Sequence, residues 1–184
     1  MTIPRVLELH QTAEGLRLYN KPVKELKSLR TKSATLSTGD LSTGKNILDQ
    51  FDMTDGLYEL EIEFENIDSG FVEFQLGGEG QDLLSFGYNA DQNVYFVDRT
   101  FAGNSSFSEY FAGLHQTTPL EYDVQTRTMQ VFIDHSSIEI FADGGRTVLT
   151  EIFFPNSRYN KITLNSGKSD WFISGSIHQL SSIW

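Results

Sequence analysis

Residues Val131–Pro155 read VFIDHSSIEIFADGGRTVLTEIFFP, and their pattern decides the fold. Met129 to Asp134 is a run of β-formers, closed by the turn-prone residues Asp134, His135, Ser136 and Ser137. Ile138 to Ala142 is a second run. Asp143-Gly144-Gly145 then supplies a turn with positive φ at little steric cost, and Asp-Gly is a strong short hairpin signal. Thr147 to Phe154 is a third run, ended by Pro155 because proline cannot donate to a ladder. Two tight hairpins in a row are expected. In the middle strand Ile138 and Ile140 share one face, and Glu139 and Phe141 share the other. A carboxylate beside an aromatic ring on an outer face is either a sugar site or a solvated Glu next to a packed ring, and the structural fate is the commoner one.

The same reading extends along the chain. Leu57 to Phe64 alternates, with Tyr58, Leu60, Ile62 and Phe64 on one face and Glu59, Glu61 and Glu63 on the other. No base or second cluster accompanies the glutamates, so a solvated strand face is expected. Phe71–Leu76, Leu83–Tyr88, Asn93–Asp98, Lys161–Leu164 and Trp171–Leu180 read as further strands. Gly77-Gly78-Glu79-Gly80 lacks the spacing and following helix of a dinucleotide site and reads as a plain loop. Arg99 to Gln116 is aromatic-rich and irregular, a long surface loop. Helix signals are weak, the best being a short turn at Val23–Arg30. Roughly ten to twelve short strands with frequent turns predict an all-β fold, a two-sheet antiparallel β-sandwich of jelly-roll or concanavalin-like type. With no internal repeat and no linker, residues 1–184 read as a single domain.

Composition narrows the function. The chain has 39% hydrophobic and 12% aromatic residues, enough for a core. Its formal net charge of -11 argues against nucleic acid and anionic membrane as partners, and suits a neutral polyol or sugar. Without cysteine, disulfides, thiol catalysis and Cys-based zinc sites are excluded. The four histidines, His10, His115, His135 and His178, have no metal-ligand spacing, and no cofactor or metal is expected. No G-x-S-x-G elbow is present. No apolar run approaches the roughly 20 residues that span a bilayer, and Met1-Thr2-Ile3-Pro4 leads into polar sequence with no visible signal peptide. Glycosidase chemistry needs only two carboxylates, but among 25 acidic residues pairs are inevitable and prove nothing.

The segment Phe132–Gly145 resembles the C-terminal β-sandwich of glycoside hydrolase family 32, the invertases, levanases and inulinases. Pro4-Arg5-Val6-Leu7-Glu8-Leu9 is similar to the junction where the family's catalytic propeller hands over to the sandwich. Pro22-Val23-Lys24-Glu25-Leu26-Lys27-Ser28-Leu29-Arg30 resembles the start of the sandwich, and Val97-Asp98-Arg99-Thr100, with Gly103, resembles its V-D-R-S-x-S-G strand and loop. Residues 1–30 would then hold the junction from a catalytic domain and the first strands. The family's Asp-Pro and Glu-Cys catalytic motifs are missing, since Pro4, Pro22, Pro119 and Pro155 follow Ile, Lys, Thr and Phe.

The resemblance therefore implies a non-catalytic module, exported or displayed at the cell surface as part of a parent enzyme. Its relation to carbohydrate-binding module family 66 implies recognition of fructan, at terminal fructose. Such a site needs carboxylates and an arginine for vicinal hydroxyls, and an apolar wall for the ring. Asp98, Arg99, Glu109, Asp134 and Glu139 are the expected polar ligands, with Tyr110 or Trp171 as the wall. Asp98 and Arg99 serve equally well as an ion pair fixing the following loop, and Trp171 as core filling. The alternative is a structural module that steadies the propeller, docking through Phe132 and Phe141 on the outer faces of their strands.

Overall fold

The computed structural model describes residues 2–37, 44–53, 56–65, 68–119, 126–166 and 172–182. Its central register explains the alternating pattern. Ile177, Leu60, Val131, Ile140 and Leu149 stand opposite one another across five neighbouring strands, all on one face. Leu164, Phe74, Phe86 and Val97 form the matching rung of a second sheet, with Phe74 and Phe86 stacked at 5.4 Å. Each of these residues is buried. Period two brings apolar side chains to one face of each sheet, and the two faces close on each other as a sandwich.

Thirteen strands occur among the described residues: β1 (Arg5–Thr12), β2 (Gly15–Pro22), β3 (Arg30–Ser37), β4 (Tyr58–Glu65), β5 (Phe71–Gly77), β6 (Leu83–Asn89), β7 (Val94–Phe101), β8 (Leu114–Thr117), β9 (Thr126–Ile133), β10 (Ser137–Ala142), β11 (Thr147–Ile152), β12 (Lys161–Ser166) and β13 (Phe172–Leu180). One sheet has the order β11-β10-β9-β4-β13-β3 and the other β12-β5-β6-β7-β8, while β1 and β2 pair separately. Every pairing is antiparallel. The two hairpins expected over Val131–Pro155 are β9-β10-β11. Asp134 N donates to Ser137 O at 2.9 Å in the first turn. In the second, Asp143, Gly144 and Gly145 all have positive φ. At Gly145 a Cβ would lie 2.0 Å from Asn20 O, so only glycine lets β2 approach this turn.

The structure adds elements the pattern did not show. The 3-10 turn at Lys24–Leu29 was expected, and the resemblance placed first strands within residues 1–30, where β1 and β2 lie; β3, β8 and a short helix α1 (Ile47–Phe51) were not expected. β7 runs on to Phe101 and β8 begins at Leu114, so the long loop is shorter than Arg99–Gln116.

Two expectations are corrected. The glutamate face of β4 is not solvated throughout: Glu59 is 1% exposed, held by Arg30 through Nε and Nη2 at 2.7 and 2.6 Å, with Gln130 Nε2 donating at 2.7 Å. Arg30 Nη2 also donates to Glu61 at 2.9 Å, and Glu61 lies beside His178 and Ser176. Nor are Phe132 and Phe141 an exposed docking surface. They are 6% and 2% exposed, packed edge to face at 6.1 Å, with the Arg5 guanidinium 5.0 Å from the Phe141 ring. The β1–β2 hairpin packs against β10 and β11 and lays Arg5 over Phe141, so it covers this end of the outer face.

Candidate functional site

Exposed aromatic rings gather over a largely buried charged pair where the end of β7 meets the end of β11. Period two sends Asp98 and Arg99 to opposite faces of β7. Asp98, opposite Ser85, faces outward, and its Oδ1 accepts from Thr100 N at 2.9 Å. Arg99 crosses to the other sheet: Nη1 donates to Ile152 O at 3.1 Å, and Nε is 3.4 Å from Glu151 Oε2. Its side chain is 9% exposed. Arg99 is thus paired with Glu151 rather than with Asp98.

His115, on β8, completes the cluster. Its Nδ1 is 2.5 Å from Glu151 Oε1, and its Nε2 is 3.4 Å from Arg99 Nη2. With its proton on Nδ1 the ring donates to Glu151 and accepts from Arg99, so one tautomer satisfies both neighbours. Phe111 lies 4.2 Å below the Arg99 guanidinium. Phe107, Phe111 and Phe154 form a three-ring cluster with centroids 4.6 to 5.6 Å apart. Phe107 is 59% and Phe154 42% exposed, and Tyr110 projects with 86% exposed.

Gly103 positions this corner. Its φ is +108°, and a Cβ there would stand 2.1 Å from Phe154 O. Asn104 N donates to that same oxygen at 2.7 Å. The 102–113 loop is thereby pinned on the chain after β11, which brings Phe107 and Phe111 to Phe154.

Of the residues expected at the site, Asp98, Arg99, Glu109 and Tyr110 fall on this corner or its loop, with Glu109 exposed. Asp134 is exposed in the β9–β10 turn at the same end of the sandwich, where Phe153 N donates to Ser136 O at 3.0 Å. Its Oδ1 accepts from His135 N at 2.6 Å. Glu139 is elsewhere and 2% exposed. Its carboxylate accepts from Ile3 N at 2.6 Å and from Arg5 Nη2 at 2.5 Å, which fastens the N-terminal segment to β10. Trp171 lies outside the described residues. Sequence reasoning missed Phe107, Phe111, His115, Glu151 and Phe154. The aromatic richness of the 99–116 stretch was the available signal, but nothing local tied it to Glu151 and Phe154 on another strand. Among the described residues, no group of three or more His, Cys, Asp or Glu is arranged to hold a metal ion. No described helix is long and apolar enough to cross a membrane.

The fold is an antiparallel two-sheet sandwich that carries a polar and aromatic corner. The family profile described as "Glycosyl hydrolases family 32 C terminal" matches residues 25–181, and the chain belongs to that family. It is the non-catalytic C-terminal module of these enzymes, whose catalytic propeller is a separate domain not covered by this chain. A levanase of Bacillus sp. (strain L7) is 34% identical over all of this chain and 20% of its own length. A levanase of Bacillus subtilis (strain 168) is 30% identical over all of this chain and 27% of its own length. The chain thus spans about a fifth to a quarter of these relatives. The crystal structure of an exo-inulinase from Aspergillus awamori superposes with a TM-score of 0.81 at 23% identity, covering 100% of this chain and 36% of that one.

Proposed function

We propose that this chain is a fructan-binding module that works beside the catalytic domain of a levanase- or inulinase-type enzyme outside the cell. The observation that carries this reading is the Phe107–Phe111–Phe154 cluster, open to solvent and backed by Arg99, Glu151 and His115. A sugar ring has apolar C–H faces that pack on aromatic rings, while its hydroxyls seek charged donors and acceptors, which form the stronger hydrogen bonds. The corner offers both within one patch, and Glu109 and Tyr110 are exposed on the loop that carries Phe107 and Phe111. Terminal fructose, with most of its hydroxyls free, is the part of the polymer such a surface engages. Relatives named as levanases support the substrate class, and one named as an extracellular exo-inulinase of Aspergillus awamori, 24% identical over the whole chain, supports the location.

Calorimetry and affinity electrophoresis with levan, inulin and sucrose, run beside a reducing-sugar assay, test the reading. Binding of fructan without sugar release is expected. Replacing Phe107 and Tyr110 together by Ala is expected to weaken binding by tenfold or more, about 1.4 kcal/mol or above. Fructan affinity unchanged in that variant would reject the corner, and no binding to any fructan would reject the function.

A second reading, a structural module that steadies the catalytic propeller, is favoured by a different observation. Leu9 faces Leu18 across the β1–β2 hairpin, with Leu7 and Leu16 on the same face. All four are at least half exposed, between 50% and 64%. Four leucines on one hairpin face form an apolar surface of the kind that marks a protein contact. Under this reading Leu9→Glu with Leu18→Glu lowers the unfolding temperature of the parent enzyme's catalytic domain, and an unchanged temperature rejects it.

A further inference from the structure

The outer face of the six-stranded sheet carries a groove of about 590 Å³, separate from the β7–β11 corner. Glu61 of β4, Gln130 of β9 and Ser176 of β13 form its floor, with the buried Glu59 carboxylate beneath them. Pro22, Val23 and the 3-10 turn at Lys24–Leu29 form one wall, and Phe132 and Phe141 supply apolar surface. A second recess of about 410 Å³ adjoins it, with Lys21, Thr128 and Gly144 lining both. The volume is within the range of about 300–1,000 Å³ usual for ligand sites.

The floor is costly to build. Glu59 is 1% and Arg30 17% exposed in their side chains, and burying a charge pair gains little over apolar packing of similar size. The face beneath a short turn would fold as well with apolar residues. What the charges provide is a set of fixed polar groups. Arg30 locks Glu59 with two hydrogen bonds and Glu61 with one, and Gln130 and Ser176 lock each in turn. His178 is itself held between Ser176 and Ser33, at 2.9 and 2.7 Å. Such support is what a pre-organised binding surface needs.

The charge balance selects the ligand. Lys21, Lys24 and Lys27 line the groove against Glu59, Glu61 and Glu63, and Lys21 is already paired with Glu8 at 2.7 Å. A groove with both signs in near balance has no field to favour an anion or a cation, and an apolar peptide would cover the exposed Lys24, Lys27 and Glu63 without offering them hydrogen bonds. A neutral chain of hydroxyls, able to donate and accept at every unit, fits. We infer that this groove is a second carbohydrate subsite, taking an internal stretch of a neutral polyhydroxylated polymer. The identity of that polymer as fructan rests on the function proposed above. One module then holds a single polymer at two places, and simultaneous engagement raises the affinity for polymer well above that for a short fragment.

Amide shifts of the labelled 184-residue chain, titrated with nystose, read both sites at once. Two sets of shifts are expected, one over residues 99–115 and 151–154, the other over residues 21–27, 59–63, 128–132 and 174–176. Ser174→Tyr, at a half-buried strand position lining the groove, is expected to remove the second set and leave the first. Its calorimetric affinity for levan should fall on the order of a hundredfold while that for nystose at the corner is kept. Lys24→Glu with Lys27→Glu, on the exposed turn, is expected to lower levan affinity in the same direction without touching the core. Groove amides unmoved by nystose, with levan affinity unchanged in both variants, overturn the inference. Shifts at the corner alone sink the groove and leave the corner standing. Shifts in the groove alone sink the corner and leave the groove standing.

Discussion

A carboxylate with 2% of its surface exposed must find its hydrogen bonds inside the protein, and Glu139 finds them on Ile3 N and Arg5. Removing one partner of such a pair costs more than the pair contributes, because the other group stays buried without its bond. Arg5→Ala is therefore expected to destabilise the chain by about 2–3 kcal/mol, and Glu139→Gln, which keeps a hydrogen-bond acceptor, by distinctly less. Urea unfolding of the two variants checks the order, and equal losses would contradict it. Glu61 makes a pH prediction. Burial pushes its carboxyl up, but the hydrogen bond and charge of Arg30 outweigh this and hold it below the ordinary value of 4.5. A depressed carboxyl contributes stability above its unfolded pKa and loses it as pH falls through the folded one. Unfolding midpoints measured from pH 6 down to pH 2 should show the advantage of wild type over Glu61→Gln shrinking below about pH 4.5. An advantage constant with pH would place the effect elsewhere. At this scale the residue types were legible in the sequence, but the partners were not. Arg99 could not be seen to choose Glu151 over its neighbour Asp98, because that choice depends on two sheets meeting 52 positions apart in the chain.

Strands that supply the core announced themselves, since burial of one face writes alternation into β5 throughout and into β4 and β9 over most of their length. The elements that escaped are those with little to bury. β3 reads RTKSATLS and sits at a sheet edge, where charged and small polar side chains discourage pairing with other chains. β8 is four residues long at the edge of the other sheet, and β1–β2 expose their leucines. The candidate site lies on just such a weakly patterned element, the 102–113 loop, and is held there by backbone geometry at Gly103. A side chain at that position meets both an unfavourable φ of +108° and the Phe154 carbonyl. Gly103→Ala is expected to cost about 1–3 kcal/mol and, by freeing the loop, to weaken fructan binding by about tenfold, or 1.4 kcal/mol. Stability and affinity both within error of wild type would show that the loop holds its place without this contact.

At the scale of the whole molecule, a net charge of -11 keeps the chain from anionic partners and leaves a neutral ligand indifferent to it. Fructan affinity should then change less than about twofold between 50 and 500 mM salt, since no counterions are released. The N-terminal hairpin is the part whose role is decided only by the assembled molecule. The family match begins at residue 25, just beyond β2, yet the hairpin is tied to the sandwich by Glu139 to Arg5, by Tyr19 to Arg146, and by the close approach of Asn20 to Gly145. It also lies over Phe141, which is 2% exposed beneath it. Its outward face, by contrast, carries the four exposed leucines. The two faces of one hairpin should therefore answer differently to change. A chain shortened to residues 23–184 loses Arg5 and bares the Glu139 carboxylate and the Phe141 ring, and is expected to unfold with at least about 3 kcal/mol less stability. The full chain with Leu9→Lys and Leu18→Lys keeps every inward contact and is expected to stay within about 0.5 kcal/mol of wild type. Urea midpoints of the two, measured side by side, decide the matter. If the shortened chain is as stable as the full one, the hairpin is merely appended to the sandwich. If the leucine variant is the one that collapses, the apolar face is part of the module's own core rather than a surface left open to a partner.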